Sequence, residues 1–193
     1  LYDQYYGMEK EVVTGIVQRV MGKNVSVNLG KADGVLSENE QVKGEEFKPT
    51  ERIKVYILEV KDTPKGPRIL LSRTHPGLVK RLFESEVAEV KDGTVEIKSI
   101  AREAGSRTKI AVWSNDPDVD PVGACVGMNG ARVNSIVEEL RGEKIDIINW
   151  DENPAILIEN ALSPAKVIAV MADPDEKTAL VVVPDYQLSL AIG

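Results

Sequence analysis

Two glycines three positions apart, in Gly127-Met128-Asn129-Gly130, have the spacing in this sequence that best suits a ligand-binding loop. Glycine has no Cβ, so it lets the backbone turn tightly and approach a ligand closely. Helical patterns flank the loop, and the first N–H groups of the second helix are free to attract a phosphate. Arg132 follows and adds the nearest positive charge. A glycine pair alone is more often a helix–helix turn, so the surrounding elements must support the prediction of phosphate binding.

The segments before and after this loop contain apolar residues. Val126 precedes it, and Ile145 and Ile147 belong to a strand predicted after the second helix. A KH domain binds RNA in this way, because its glycine loop clamps the backbone of about four nucleotides while the unstacked bases lie over an apolar groove. The pattern therefore predicts a single-stranded RNA site made of Gly127, Met128, Asn129, Gly130, Arg132, Val126, Ile145 and Ile147.

Alternating helical and strand patterns predict the elements that position this loop. From residue 77 the order is a helix, strands at 94–100 and 108–113, helices at 122–126 and 131–140, and a strand at 144–150. The order starts again with a helix at 154–162, strands at 167–170 and 180–183, and a helix that Asp185 would cap. This internal repeat predicts two α+β units, the second of them truncated.

Residues before position 77 have a different pattern. Short segments at 12–20, 23–29, 35–36, 52–60 and 69–73 are rich in apolar residues, and several alternate them with polar ones, which predicts a small all-β barrel. We expect Lys23 and Asn24 on its outer face to contact RNA. Tyr56 is the aromatic residue expected to stack on a base, a contact worth ~1–3 kcal/mol.

The chain is similar to the NusA family of bacterial transcription factors. The first KH domain of that family resembles the segments GACVGMNGARV at 123–133, IVEEL at 136–140 and EKID at 143–146, and its second KH domain resembles ILIENALSPA at 156–165. The resemblance implies a mixed fold: an all-β OB-fold domain of the ribosomal-protein type at 1–76, followed by α+β type II KH domains at 77–153 and 154–193, the last one truncated.

The same resemblance implies a function. Members of the family bind nascent RNA and modulate RNA polymerase pausing, termination and antitermination. The implied partners are single-stranded RNA, RNA polymerase and other transcription elongation factors. In the family the polymerase is contacted largely through an N-terminal domain that lies outside this sequence.

Composition limits the classes of function. The net charge of −7 argues against RNA binding by a global positive field, because phosphate contacts need Lys and Arg. Arg102, Arg107 and Lys109, at a predicted hairpin, are therefore candidates for local RNA contacts in an acidic domain. Cys125 is the single cysteine, and His75 has no nucleophile or second base close in sequence. We expect no active site, no cofactor and no metal.

The two ends of the sequence and the length of its apolar runs indicate the cellular compartment. The sequence starts at Leu1 without an initiator Met or a signal peptide and stops inside an apolar helical pattern. We therefore expect a piece of a longer chain. No apolar run approaches the roughly 18 residues of a membrane span, so we expect a cytoplasmic protein without a membrane partner.

Two alternatives remain open. Phosphorolytic ribonucleases carry an RNA-binding tail of KH and OB modules, although in the reverse order and attached to a catalytic part. An acidic protein-interaction scaffold would use the same folds without RNA. A salt titration of binding to short single-stranded RNA separates the scaffold from both RNA-binding alternatives.

Overall fold

The computed structural model describes residues 2–193, so Leu1, where the first predicted domain starts, lies outside the described residues. The first domain contains the elements α1 (Tyr2–Tyr6), β1 (Val12–Met21), β2 (Asn24–Asn28), β3 (Asp33–Leu36), β4 (Arg52–Thr63) and β5 (Gly66–Ser72). Its strands form a closed barrel in the order β1-β2-β3-β5-β4, in which only β3 and β5 pair in parallel. Alternate side chains fill the interior of the barrel and make an apolar core, as the sequence pattern predicts.

The next unit has the α+β order of a type II KH domain, and we call it the KH unit. Its elements are α2 (Pro76–Glu86), α3 (Ala88–Lys91), β6 (Val95–Glu103), β7 (Arg107–Ser114), α4 (Pro121–Val126), α5 (Ala131–Glu139) and β8 (Lys144–Asn149). The central strand β7 pairs antiparallel with β6 and parallel with β8, and helices cover one face of this sheet. The core of the KH unit contains Leu78, Phe83, Val112 and Ile136.

The last segment begins a second unit of the same order. Its elements are α6 (Pro154–Leu162), β9 (Ala169–Asp173), β10 (Thr178–Val182) and α7 (Leu188–Ile192). After α6, the strands β9 and β10 pair as an antiparallel hairpin. The prediction that Asp185 caps the final helix is wrong: Pro184 precedes a 3₁₀ turn at Asp185–Gln187 without a side-chain cap, and the helix starts after that turn.

Barrel and KH unit are joined by a buried arginine. The side chain of Arg73 is 1% exposed, and its five N–H groups each reach an acceptor. Nε and Nη2 bind the carboxylate of Glu45 at 3.1 and 2.6 Å, Nη1 binds Lys54 O and Glu139 Oε1, and Nη2 also binds Glu139 O. Burial alone would lower the pKa of Arg73, but the bonds to Glu45 and Glu139 raise it above its ordinary value. The guanidinium therefore stays charged and fixes α5 against the barrel.

Apolar and aromatic contacts extend this junction. Val12, Tyr56 and Leu58 of the barrel pack into the apolar core of the KH unit. The Tyr56 ring stacks on His75, with ring centroids 4.5 Å apart, and a Cβ at Gly77 would lie only 2.6 Å from the Tyr56 ring. Only glycine fits at position 77, because α2 starts directly against the barrel.

A second buried ion pair holds the β6–β7 hairpin. Glu143 accepts from Arg102 Nε and Nη2, from the backbone N–H of Gly105 at 2.7 Å and from Thr108 Oγ1 at 2.6 Å. Arg102 Nη1 donates to His75 O at the junction. Burial would raise the pKa of Glu143, but these donors lower it below its ordinary value of 4.5. The carboxylate is therefore ionised inside the fold.

Replacing Arg73 by Ala should lower the free energy of unfolding by about 3–5 kcal/mol, because Glu45 would stay buried without its bidentate partner. Chemical denaturation followed by circular dichroism measures the change. Arg68→Ala, on the exposed side of β5, is the matched control, and it should alter stability by about 0.5 kcal/mol or less. Equal effects of the two variants would contradict the role given to the junction.

Glu143→Gln should destabilise the protein in a pH-dependent way. Because the pKa of Glu143 is lowered in the fold, its stabilising contribution is complete above pH 4.5 and is lost as the pH falls through the folded-state pKa. The variant should lose roughly 1.5–3 kcal/mol at pH 7. Unfolding free energies of both proteins, measured from pH 7 downward, should converge below pH 4.5. A difference that is constant with pH would show that the charge of Glu143 is irrelevant.

Candidate nucleic-acid interface

The predicted glycine loop lies between α4 and α5 and has a left-handed backbone. φ is +78° at Gly127, +54° at Asn129 and +75° at Gly130. A Cβ at Gly127 would lie 2.8 Å from Arg132 Cγ and 3.0 Å from Arg132 N, so a side chain does not fit there. Met128 is 86% exposed, and Asn129 is exposed beside it. The sequence therefore folds into a tight loop at the start of α5 that exposes Met128 and Asn129, while the N–H groups of Gly127 and Gly130 donate to Gly123 O and Gly127 O.

Arg132 supports this loop from inside. Its Nη1 donates to Glu89 Oε2 at 2.7 Å and to Ala124 O at 2.8 Å. A backbone hydrogen bond, followed by the bond from Arg132, lowers the pKa of Glu89. Glu89 thus offsets part of the charge of Arg132, while Nε and Nη2 make no hydrogen bond among the residues that the structure describes. Arg132 remains a phosphate candidate, but a weaker one than an unpaired arginine.

A groove of about 170 Å³ lies beside α4 and contains one of the three apolar residues that the sequence assigns to the bases. Ile147 lines it, whereas Val126 and Ile145 are half-buried outside its lining. Half of its lining is apolar and half is polar: Val122, Ile147, Ile148, Asn149, Asn160 and Ser163. Four of these residues come from the KH unit, and the last two come from α6 and the residue after it. The structure therefore brings Ile147 to an open surface beside α4.

The three predicted cations of the β6–β7 hairpin lie in two different environments. Arg102 has a side-chain exposure of 1% and is paired with Glu143, so it is removed from the predicted RNA surface. Arg107 Nε pairs with Asp146 Oδ2 at 2.8 Å, and Lys109 Nζ donates to Ala161 O. Arg107 and Lys109 line a cavity of about 300 Å³ next to the ends of α6 and α7. They therefore lie at the start of the second unit, and their charges are partly engaged.

Of the three barrel residues predicted to contact RNA, Tyr56 is excluded by its position, and Lys23 and Asn24 remain predictions. Tyr56 is 7% exposed and stacks on His75, so its ring belongs to the junction and cannot stack on a base. Sequence periodicity could not show this, because the outer face of β4 is covered by the next domain. Asn24 is exposed at the start of β2, and Lys23 Nζ lies 3.5 Å from Glu38 Oε1 in an exposed pair.

Two side chains that are reactive in other proteins are structural here. Cys125 is fully buried in the KH core, and burial raises the pKa of its thiol to about 11, so the thiol stays protonated at neutral pH. His75 caps α2, because its Nδ1 accepts the backbone N–H of Gly77 at 2.9 Å.

Among residues 2–193 no cluster of His, Cys, Asp or Glu could hold a metal ion. No helix within that range is long and apolar enough to cross a membrane.

Other exposed features lie outside the predicted set of RNA-contacting residues. Trp113 is 42% exposed and meets Trp150 edge to face, with ring centroids 5.8 Å apart, and Lys98 Nζ lies 5.3 Å from the Trp150 ring centroid. Lys54 and Lys91, from barrel and KH unit, line a common cleft of about 340 Å³. The sequence contains no signal for that pair, because the two lysines meet only through the packing at Arg73.

Comparison with known families agrees with this architecture. The S1 RNA binding domain matches residues 7–72, the NusA-like first KH domain matches 73–150, and the NusA-like second KH domain matches 154–193. The order, with S1 before KH, disfavours the tail of a phosphorolytic ribonuclease.

Curated relatives match the whole chain. A transcription termination/antitermination protein NusA from Bacillus subtilis is 58% identical over 193 residues, and those from Halalkalibacterium halodurans and Thermus thermophilus are 55% and 47% identical. The match covers 100% of this chain and 52%, 50% and 50% of these relatives, so the chain spans about half of their length. In its fold, in the order of its domains and in its sequence, the chain belongs to the NusA family, of which it represents the S1 and KH region.

Proposed function

We propose that this chain binds single-stranded RNA through the glycine loop and the adjoining groove of its KH unit. The observation that carries the proposal is the loop geometry: positive φ at Gly127 and Gly130 turns the chain tightly and leaves Met128 and Asn129 exposed at the start of a nine-residue helix. The N-terminus of a helix attracts phosphate without a basic side chain. Such a site fits a chain with a net charge of −7.

The proposed contacts are of two kinds: contacts to the RNA phosphates and contacts to the bases. Gly127, Met128, Asn129 and Gly130 hold phosphates, with Arg132 behind them. The bases of the bound strand lie over Val126, Ile145 and Ile147. A duplex could not place its bases there, because they stay stacked and paired inside the helix. Arg107 and Lys109 contact the strand where it passes toward the second unit, and Lys23 and Asn24 add a weak contact from the barrel.

We further propose that RNA binding serves transcription. The relatives are named transcription termination/antitermination proteins and are about twice as long as this chain. In a longer protein, this region would hold nascent RNA while RNA polymerase and other elongation factors are contacted elsewhere, in the cytoplasm. The corresponding domain limits are 1–76, 77–153 and 154–193.

The fragment should prefer single-stranded to duplex RNA, and its affinity should depend weakly on salt. Few phosphates are neutralised by the available cations, so the slope of log affinity against log salt should equal about two to four ion equivalents, at ~0.7 per phosphate. Fluorescence anisotropy with an unstructured oligomer and a hairpin stem measures both. Equal affinity for the two RNAs would refute the proposal, and an absence of RNA binding would favour the protein-interaction scaffold.

A negative charge in the loop should weaken RNA binding. Gly130→Asp should abolish it, but any side chain at φ +75° also strains the backbone. Asn129→Asp is the sharper variant, because Asp has the same shape as Asn and tolerates the left-handed conformation. It should weaken binding about 5- to 30-fold, since a carboxylate would face the phosphate. Asn39→Asp adds the same charge on the exposed barrel surface and should leave affinity nearly unchanged.

The complementary change is Met128→Lys, which adds a cation at the most exposed position of the loop. It should tighten binding by up to about 1 kcal/mol, and by more at low salt. RNA titrations beside thermal melts separate affinity from folding for all four variants. If Asn129→Asp melts normally and binds RNA like its control, the loop is only a helix connector.

A further inference from the structure

The junction between barrel and KH unit contains a second cation-lined surface, which we call the junction cleft. It has a volume of about 340 Å³ and lies between β1 and β4 of the barrel and α2 and α3 of the KH unit. Its positive side chains are Lys54, Arg81 and Lys91. None of the predicted RNA-contacting residues lines it.

The charges in the cleft do not cancel. Arg81 is engaged, because Nη1 binds Glu84 Oε2 at 2.7 Å, Nε donates to Lys10 O and Nη2 lies 3.9 Å from Glu11 Oε1. Lys54 Nζ and Lys91 Nζ have no carboxylate within 4.0 Å among the residues that the structure describes. The cleft lining carries three cations and the two carboxylates of Glu11 and Glu84, so it has a net charge of about +1 in a chain whose overall charge is −7.

Hydrogen-bond donors and a fixed backbone complete the site. The hydroxyls of Thr14 and Ser85 line the cleft and have no side-chain hydrogen bond within the described part of the chain. The main chain of Lys54 is held in place, because its N–H donates to Glu139 Oε1 and its carbonyl accepts from Arg73. Leu82, 4% exposed, forms part of the apolar wall. Two cations and two hydroxyls around a partly apolar floor suit a phosphate diester better than a nucleobase.

The cleft and the glycine loop border the same short helix. α3 contains four residues, so its axis is about 6 Å long. Glu89 on α3 binds Arg132 beneath the loop, and Lys91 at the end of α3 lines the cleft. A strand that leaves the loop therefore needs to pass only one helical turn to reach Lys91.

We propose that the junction cleft binds one or two backbone phosphates of the RNA strand that the glycine loop holds, with Lys54 and Lys91 as the charged contacts. This inference rests on the proposed RNA-binding function. It gives the barrel a part in RNA binding through its KH-facing side, in addition to the weak contact expected at Lys23 and Asn24.

The test compares two lengths of unstructured RNA. One has about four nucleotides, the number that a KH domain clamps. The other has about twelve, enough to cover an OB-fold site as well. The variant is Lys54→Ala/Lys91→Ala, and the control Lys31→Ala/Lys65→Ala removes two exposed lysines of the barrel that lie outside the cleft. If the alanine variant melts early, Lys54→Gln/Lys91→Gln replaces it.

For the longer RNA, the cleft variant should reduce the salt slope by about 0.7–1.4, which is roughly a 5- to 25-fold loss of affinity at 0.1 M salt. Its affinity for the short RNA should equal that of the parent, and the control should bind both RNAs normally. An unchanged slope on the longer RNA, or equal losses on both lengths, overturns the cleft proposal while RNA binding by the loop stands. Failure of the parent protein to bind either RNA overturns the proposed function itself.

Discussion

The buried guanidinium of Arg73 is the contact on which the arrangement of the domains depends. Its five donors are divided between a carboxylate and a carbonyl of the barrel and both a carboxylate and a carbonyl of α5. A buried arginine is tolerated only when every donor is satisfied, so the two domains must meet in one orientation. The glycine loop starts the helix whose other end contacts Arg73. Arg73 thus contributes, together with the apolar contacts of Val12, Tyr56 and Leu58, to fixing the position and direction of the loop relative to the barrel.

This use of charge explains how an acidic chain can still present cations to a ligand. Several arginines are engaged in structural ion pairs: Arg73 with Glu45, Arg102 with Glu143, Arg132 with Glu89, and Arg141 with Glu51. Arginine suits these places because its planar fork matches a carboxylate. Lysines with mobile ammonium groups remain at the surface. The basic residues with the highest hydrogen-bonding capacity therefore serve the fold, which is why we propose phosphate binding at the start of α5 and at a few lysines.

Periodicity in the sequence was sufficient to predict the barrel, the order of elements in the KH unit and the glycine loop, because each depends on local pattern. It was insufficient for Tyr56 and Arg102. Both have sequence surroundings typical of exposed positions, and both are buried by contacts between parts of the chain far apart in sequence, Tyr56 by α2 and Arg102 by Glu143. The position of Lys54 beside Lys91 has the same origin. Local rules therefore fail where distant parts of the chain pack together, either between the two domains, as at Tyr56, or within the KH unit, as at Arg102.

A rigid junction also changes what the two proposed RNA contacts would achieve together. The loop and the junction cleft are held at a fixed separation, so a strand bound at the loop would reach the cleft at a high effective concentration without any rearrangement of the protein. Neither contact would need to be strong, which suits a chain with a net charge of −7. Both proposed contacts require an unpaired, flexible strand. An RNA that folds into a hairpin would leave both contacts together, so its affinity would fall more steeply with RNA structure than it would for either contact alone.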